Sequence, residues 1–182
     1  MTALRRAFLA AVPTPPVLDA VSPLVEHATR RGFRWTRRDQ WHVTIQYFGR
    51  VDDVDALVGV LAEPLASVPA PRVQLQGAGG FPTDRRASVY WLGVADAEPL
   101  AVVHDAVMNA ARAFVRPRDR SGYAPHLTLA RMSSPKRLIE EVEALAAIPL
   151  GPSWTVDELT LFESETRREG AFYREIARLP LG

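Results

Sequence analysis

Apolar positions along this chain switch repeatedly between a period of two and a period near 3.6, so strands and helices can be read off in turn. Leu4–Val12 predicts a first strand, closed by Pro13. After Pro15-Pro16, Val17, Val21, Leu24, Val25 and Ala28 fall at helical spacing, with Gly32 placed to end the helix. Trp41–Phe48 is rich in β-branched and aromatic residues and predicts a strand closed by Gly49. Asp52 and Asp53 then sit where helix N-terminal acids belong. They precede the stripe Val54, Leu57, Val58, Leu61, and Glu63-Pro64 marks the last turn or the end of that helix. Arg72–Gln76 and Ser88–Val94 predict two strands around a turn, GAGGFPTDRR. A helix over Pro99–Phe114 follows, with Leu100, Val103, Val107, Ala110 and Phe114 inward, and then a charged, turn-like stretch, VRPRDRSG. Pro125–Met132 predicts another strand. Ser134-Pro135 opens a helix with Leu138, Ile139, Val142 and Leu145 inward. Two last strands, Trp154–Glu163 and Ala171–Leu179, are joined around Gly170. Several strands are separated by turns too short for parallel crossovers, so the pattern predicts an α+β fold with largely antiparallel sheet.

Composition narrows this picture. At 182 residues, the chain is expected to form one domain, or one domain of two lobes, with no linker long enough to separate independent domains and no solenoid period. The net charge of +1 announces no nucleic-acid partner by itself. Lys136 is the only lysine, and arginine is the better bidentate ligand for phosphate, although a biased genome composition gives the same ratio. The absence of cysteine excludes disulfides, thiolate catalysis and cysteine-based zinc sites, and fits a cytoplasmic protein. The opening MTALRRAFLAAVPTP is superficially like a signal peptide, but its apolar core, Ala7 to Val12, is short for one, and no apolar run reaches membrane-spanning length.

Two of the predicted strands carry nearly the same words: His-Val-Thr-Ile at 42–45 and His-Leu-Thr-Leu at 126–129. The chain has four histidines, and this repeat uses two of them. Alternation along a strand turns each His and Thr to one face and the aliphatics to the other. Two such faces lining a cleft would unite two imidazoles and two hydroxyls. Imidazole titrates near neutrality, so one ring can take a proton from an attacking oxygen while the other gives one to a leaving oxygen. The Thr hydroxyls can donate to non-bridging phosphate oxygens. A single His-x-Thr would be an ordinary sheet edge; two in similar strand contexts are harder to dismiss. Two histidines are too few for a metal site, and no carboxylate or cysteine stands at ligand spacing beside them. His27 and His104 lie in predicted helices without a partner motif and read as surface or partly packed residues.

Neighbouring residues leave alternatives open. Arg131 follows the second motif and would clamp a phosphate, yet strand parity sets it opposite His126 unless the strand ends or bulges first. The aromatics near the motifs (Trp41, Tyr47, Phe48, Phe81 and Tyr123) each read first as core residues; if one stacks on a base, Phe48, which shares the parity of His42 and Thr44, is the candidate. Arg34, Arg37 and Arg38 either track an RNA backbone or form a solvated loop.

Across nearly its whole length the chain resembles the two-histidine (2H) phosphoesterases, specifically the RNA 2',3'-cyclic phosphodiesterases long called 2'-5' RNA ligases. The resemblance rests on RRAFLAAV, WTRRDQWHVTIQYFGRV, GAGGFP with VYWLGV, YAPHLTLAR and LFESETRREGAFYREI, in that order. It departs at Tyr-Phe-Gly, where Phe-Leu-Gly is usual, and at Arg50, where an acid is common. The resemblance implies two pseudo-symmetric lobes of antiparallel sheet with outer helices around a central cleft. It implies cofactor-free, metal-independent hydrolysis of a terminal 2',3'-cyclic phosphate, on RNA or a small cyclic nucleotide, to a 2'-phosphate. His42 would protonate the departing 3' oxygen and His126 would activate water. Thr44, Thr128 and Arg131 would hold the phosphate. No membrane and no obligatory protein partner are expected. The alternatives are 2'-5' RNA ligation and a non-catalytic module that binds RNA ends.

Overall fold

The computed structural model describes residues 3–26, 32–115, 122–167 and 170–182. Among them, nine strands form one sheet in which every pairing is antiparallel. The strands are β1 (Leu4–Ala11), β2 (Phe33–Trp35), β3 (Val43–Val51), β4 (Arg72–Phe81), β5 (Ala87–Val94), β6 (Leu127–Lys136), β7 (Pro149–Thr155), β8 (Glu158–Arg167) and β9 (Gly170–Pro180). Four α-helices accompany them: α1 (Pro15–Glu26), α2 (Val54–Ala66), α3 (Glu98–Ala110) and α4 (Ile139–Leu145). The strand order is β7-β4-β5-β6-β3-β1-β8-β9, with β2 paired separately to β6.

That order has a pseudo-twofold character. The motif strands β3 and β6 are central, flanked by β1 and β5 respectively. In sequence, β1-α1 leads to β3 and β5-α3 leads to β6, and each motif strand is followed by a further helix, α2 or α4. Two halves therefore meet along one seam, as the repeated motif and the α+β pattern predict.

The helices are held by their apolar stripes. Asp53 caps α2 by accepting from the Ala56 N–H at 3.0 Å, and Leu57, Leu61 and Leu65 are fully buried below it. Leu100, Val103 and Val107 do the same for α3. Burying one such leucine contributes about 2 kcal/mol, so these stripes fix the outer layer on the sheet. Val17 and Val21 anchor α1, which packs on β7; Gly151 lets it in, since a Cβ there would lie 2.9 Å from that of Ala20.

Several boundaries differ from the sequence pattern, among them β3, which runs past Gly49 to Val51, and α3, which ends at Ala110, short of Phe114. The glycines of GAGGF belong to β4 rather than to a turn, because β4 passes so close to β5 that a Cβ on Gly79 would sit 2.3 Å from the Trp91 ring. Ser134-Pro135 does not open a helix: β6 runs on to Lys136, paired with Ala87, and α4 starts at Ile139. The stretch before Glu163 is two strands, β7 and β8, parted at Val156-Asp157. The three residues of β2 form a strand by adding to β6, a non-local pairing with no signature of its own. Helix α1 is described to Glu26; His27, the helical position at Ala28 and most of the VRPRDRSG stretch lie outside the described residues. No described helix is long and apolar enough to cross a membrane.

Candidate active site

The two halves touch through one strand pair. Val43 and Leu127, the residues after the two histidines, are antiparallel partners, and both are fully buried. Their side chains enter the core, so the residues on either side of them face the other way. His42 thus lies beside Thr128, and Thr44 beside His126, as four corners around the Val43–Leu127 pair. The histidines occupy a diagonal, close enough for the charge of His126 to act on His42. His42, Thr44, His126 and Thr128 are all half-buried.

Just past each threonine the strand carries one extra residue. On β3 the pairing with β1 passes from Ala10↔Thr44 to Leu9↔Gln46, leaving Ile45 unmatched. On β6 the pairing with β5 passes from Trp91↔Thr128 to Tyr90↔Ala130, leaving Leu129 unmatched. Each bulge inverts the alternation beyond it. Ile45 and Gln46 are both buried, as are Leu129 and Ala130, and the next residue in each strand, Tyr47 or Arg131, faces outward. Arg131 is thereby returned to the face of His126, and its charge acts on His42, His126 and Tyr173. The same inversion corrects the expectation for Phe48. That ring is 1% exposed inside the core and has no face for a base, whereas Tyr47 is 48% exposed.

The imidazoles are held alike. Nδ1 of His42 donates to the Gln40 carbonyl and Nδ1 of His126 to the Ala124 carbonyl, each at 2.7 Å. A carbonyl can only accept, so the proton of each neutral ring is on Nδ1 and Nε2 is left with a free lone pair. His42 packs against Phe8 (ring centroids 4.9 Å) and the edge of Tyr173 (5.2 Å). His126 packs against Phe81 (4.9 Å) and Trp91 (6.0 Å). Burial pushes the His42 imidazolium down to about 4, aided by the charges of His126 and Arg131 and opposed by the Gln40 hydrogen bond. Burial, with Arg131, also lowers His126. Both rings are therefore neutral at pH 7 before substrate arrives. Among the described residues no group of three or more His, Asp or Glu side chains converges as metal ligands.

Where β3 and β6 part beyond the central pair, the bulge carbonyls need other partners. Thr36 supplies them on β6: its hydroxyl donates to the Thr128 carbonyl at 2.6 Å and its backbone N–H to that of Leu129 at 2.8 Å. The Trp41 indole in turn donates to the Thr36 hydroxyl at 3.0 Å, so Trp41 is a buried support and not a stacking platform. On β3, Tyr123 donates to the Thr44 carbonyl at 3.2 Å and His104 to that of Ile45 at 2.9 Å. Those two rings stack with centroids 4.4 Å apart. His104 is thus more than a partly packed helix residue: it secures the first motif. An open groove of about 390 Å³ runs beside the site, lined by Thr44, Tyr47, Phe81, Tyr123 and His126 among others. Phe8, Thr36, Trp91 and Tyr173 also build the site, and sequence reasoning missed them. They lie on other strands or loops, with no fixed spacing to either motif.

Fold and site together define a two-histidine phosphoesterase-like protein: a curled antiparallel sheet with outer helices and a pair of His-x-Thr motifs at its seam. The sequence matches the profile of the 2'-5' RNA ligase superfamily over residues 14–168, and the chain belongs to that family. An RNA 2',3'-cyclic phosphodiesterase of Methanothermobacter thermautotrophicus is 28% identical over 180 residues, covering 94% of this chain and 96% of that one. A protein of the same name from Aquifex aeolicus is 25% identical over 156 residues, 82% of each chain. Among solved structures, the TT0787 protein of Thermus thermophilus superposes with a TM-score of 0.81 at 19% identity over 97% of both chains. Escherichia coli LigT complexed with 3'-AMP gives 0.76 at 24% identity over 98% of both.

Proposed function

We propose that this protein hydrolyses the terminal 2',3'-cyclic phosphate of RNA, or of a small cyclic nucleotide, to a 2'-phosphomonoester by paired-histidine acid–base catalysis without a metal. The observation that carries this reading is the four-cornered cluster at the Val43–Leu127 pair, with Arg131 turned onto the same face. It is supported by the names of relatives that span most of the chain. Nε2 of His126 removes a proton from water as the water oxygen attacks phosphorus. The bond from phosphorus to the 3' oxygen breaks, and His42, protonated on Nε2, gives that oxygen its proton. Thr44, Thr128 and Arg131 donate to the non-bridging oxygens, where negative charge grows. The cyclic phosphate is itself an anion. Its arrival favours the imidazolium that burial suppresses in the free enzyme. Tyr47, in place of Phe48, offers its ring to the base at the groove.

On this reading the chain acts as one bilobal domain over residues 1–182, since each half contributes one histidine. No protein partner is needed. The test is turnover of a short RNA with a 2',3'-cyclic end in EDTA, using wild type, His42→Ala and His126→Ala. Removing a general acid or base costs about 10²–10⁴-fold in rate, and the product should carry a 2'-phosphate. Undiminished turnover in either variant would overturn the assignment. Binding without turnover would select the RNA-end binding module, and joining to a 5'-hydroxyl strand in place of hydrolysis would select ligation.

A further inference from the structure

Strand β2 places Arg34 directly opposite Arg131 in the β2–β6 ladder. Opposed residues of an antiparallel pair share a face, and like charges there repel. Both arginines are exposed. On either side of Arg131, Ala130 and Met132 are buried, and Phe33 and Trp35 on either side of Arg34 pack against the core, so the two guanidiniums stand together on the open face. Among the described residues neither forms an ion pair, whereas nearby Arg37 and Arg38 are neutralised by Asp39 and Asp19 at 2.7 Å. A cross-strand pair of uncompensated arginines costs stability and is explained by an anion.

We infer that Arg34 is the ligand of a second phosphate: the backbone phosphate one nucleotide upstream of the cyclic end. This rests on the phosphodiesterase reading, in which Arg131 holds the terminal phosphate. Adjacent strands lie about 4.8 Å apart, and long side chains can diverge from there. Arg34 stands across from Arg131 on the edge of β6 that also carries β3, past the Val43–Leu127 pair, and Arg131, not Arg34, is the arginine whose charge acts on the two histidines. A planar guanidinium can take a phosphodiester through two N–H donors. A mononucleotide has no second phosphate and gains nothing from Arg34. The position therefore favours RNA ends over free cyclic nucleotides.

The test compares a 2',3'-cyclic mononucleotide with a dinucleotide ending in the same cyclic phosphate. For Arg34→Ala, kcat/KM for the dinucleotide should fall about five- to tenfold further than for the mononucleotide, the scale of one partly exposed charged hydrogen bond. The slope of log kcat/KM against log salt for the dinucleotide should shrink by about 0.7, the value for one phosphate contact on a single strand. Arg34→Lys, which keeps the charge but not the paired donors, should restore the salt slope and only part of the loss in kcat/KM. Equal losses on both substrates would mean that Arg34 acts on the terminal phosphate or on folding, and would overturn the inference, as would no loss on either. Failure of wild type to turn over either substrate would strike at the phosphodiesterase reading instead.

Discussion

Burial sets the proton affinity of both imidazoles before any substrate binds. In the free protein both titrate below the ordinary histidine value, His42 near 4. The limbs of kcat/KM, which report the free enzyme, should therefore lie on the acid side of about pH 6.5. The limbs of kcat should move to higher pH, because the bound phosphate anion stabilises the imidazolium. A coincident pair of profiles, measured on a cyclic mononucleotide, would contradict this. The two aromatic neighbours on β3 should separate just as sharply. Tyr47→Ala should raise KM for a nucleotide substrate by about fivefold or more, the scale of one base stack, with Tm changed little. Phe48→Ala should instead cost about 3–5 kcal/mol of stability in denaturant titration, as the loss of a core ring does.

At the level of elements, the bulges matter more than the motifs' letters. His, Thr and the alternation that turns them together were legible in sequence because a strand has a fixed period. An extra residue at Ile45 or Leu129 leaves no mark in that period, so parity counted through it sends Arg131 to the wrong face and Phe48 to the right one. Helix α2 was readable from its cap and stripe, and α3 from its stripe, signals that act within a few residues. Strand β2 and the glycine-bearing part of β4 were not, since their reasons lie on β6 and in the Trp91 ring. That ring supplies a prediction. Gly79→Ala would drive a methyl group into Trp91, which packs on His126. Overpacking of this kind costs about 1–3 kcal/mol. Thermal melts should show a lowered Tm, and cyclic phosphodiesterase turnover should drop in kcat more than in KM as His126 is displaced. An unchanged kcat would show that Trp91 does not position the ring.

At the level of the whole molecule, His42 links folding to pH. The unfolded chain takes up a proton near pH 6.5, whereas the folded one resists until about pH 4. Stability from this group is therefore complete above about pH 6.5 and is lost as pH falls towards 4, by at most about 3 kcal/mol. Chemical denaturation at about pH 7 and about pH 4.5 should show this loss in wild type and a smaller one in His42→Asn.

The pseudo-twofold seam has one further consequence. A cradle with matched corners offers a small ester two ways in, and a cyclic phosphate flipped end for end would present the wrong oxygen to each histidine. The corners match in His, Thr and bulge, but past the bulges one arm ends in a guanidinium and the other in a phenol ring. On the proposed reading that single mismatch gives the site its polarity, so charge and base each have one side to face. The direction in which an RNA end is read would then be written in two residues, Arg131 and Tyr47, and not in the catalytic pair.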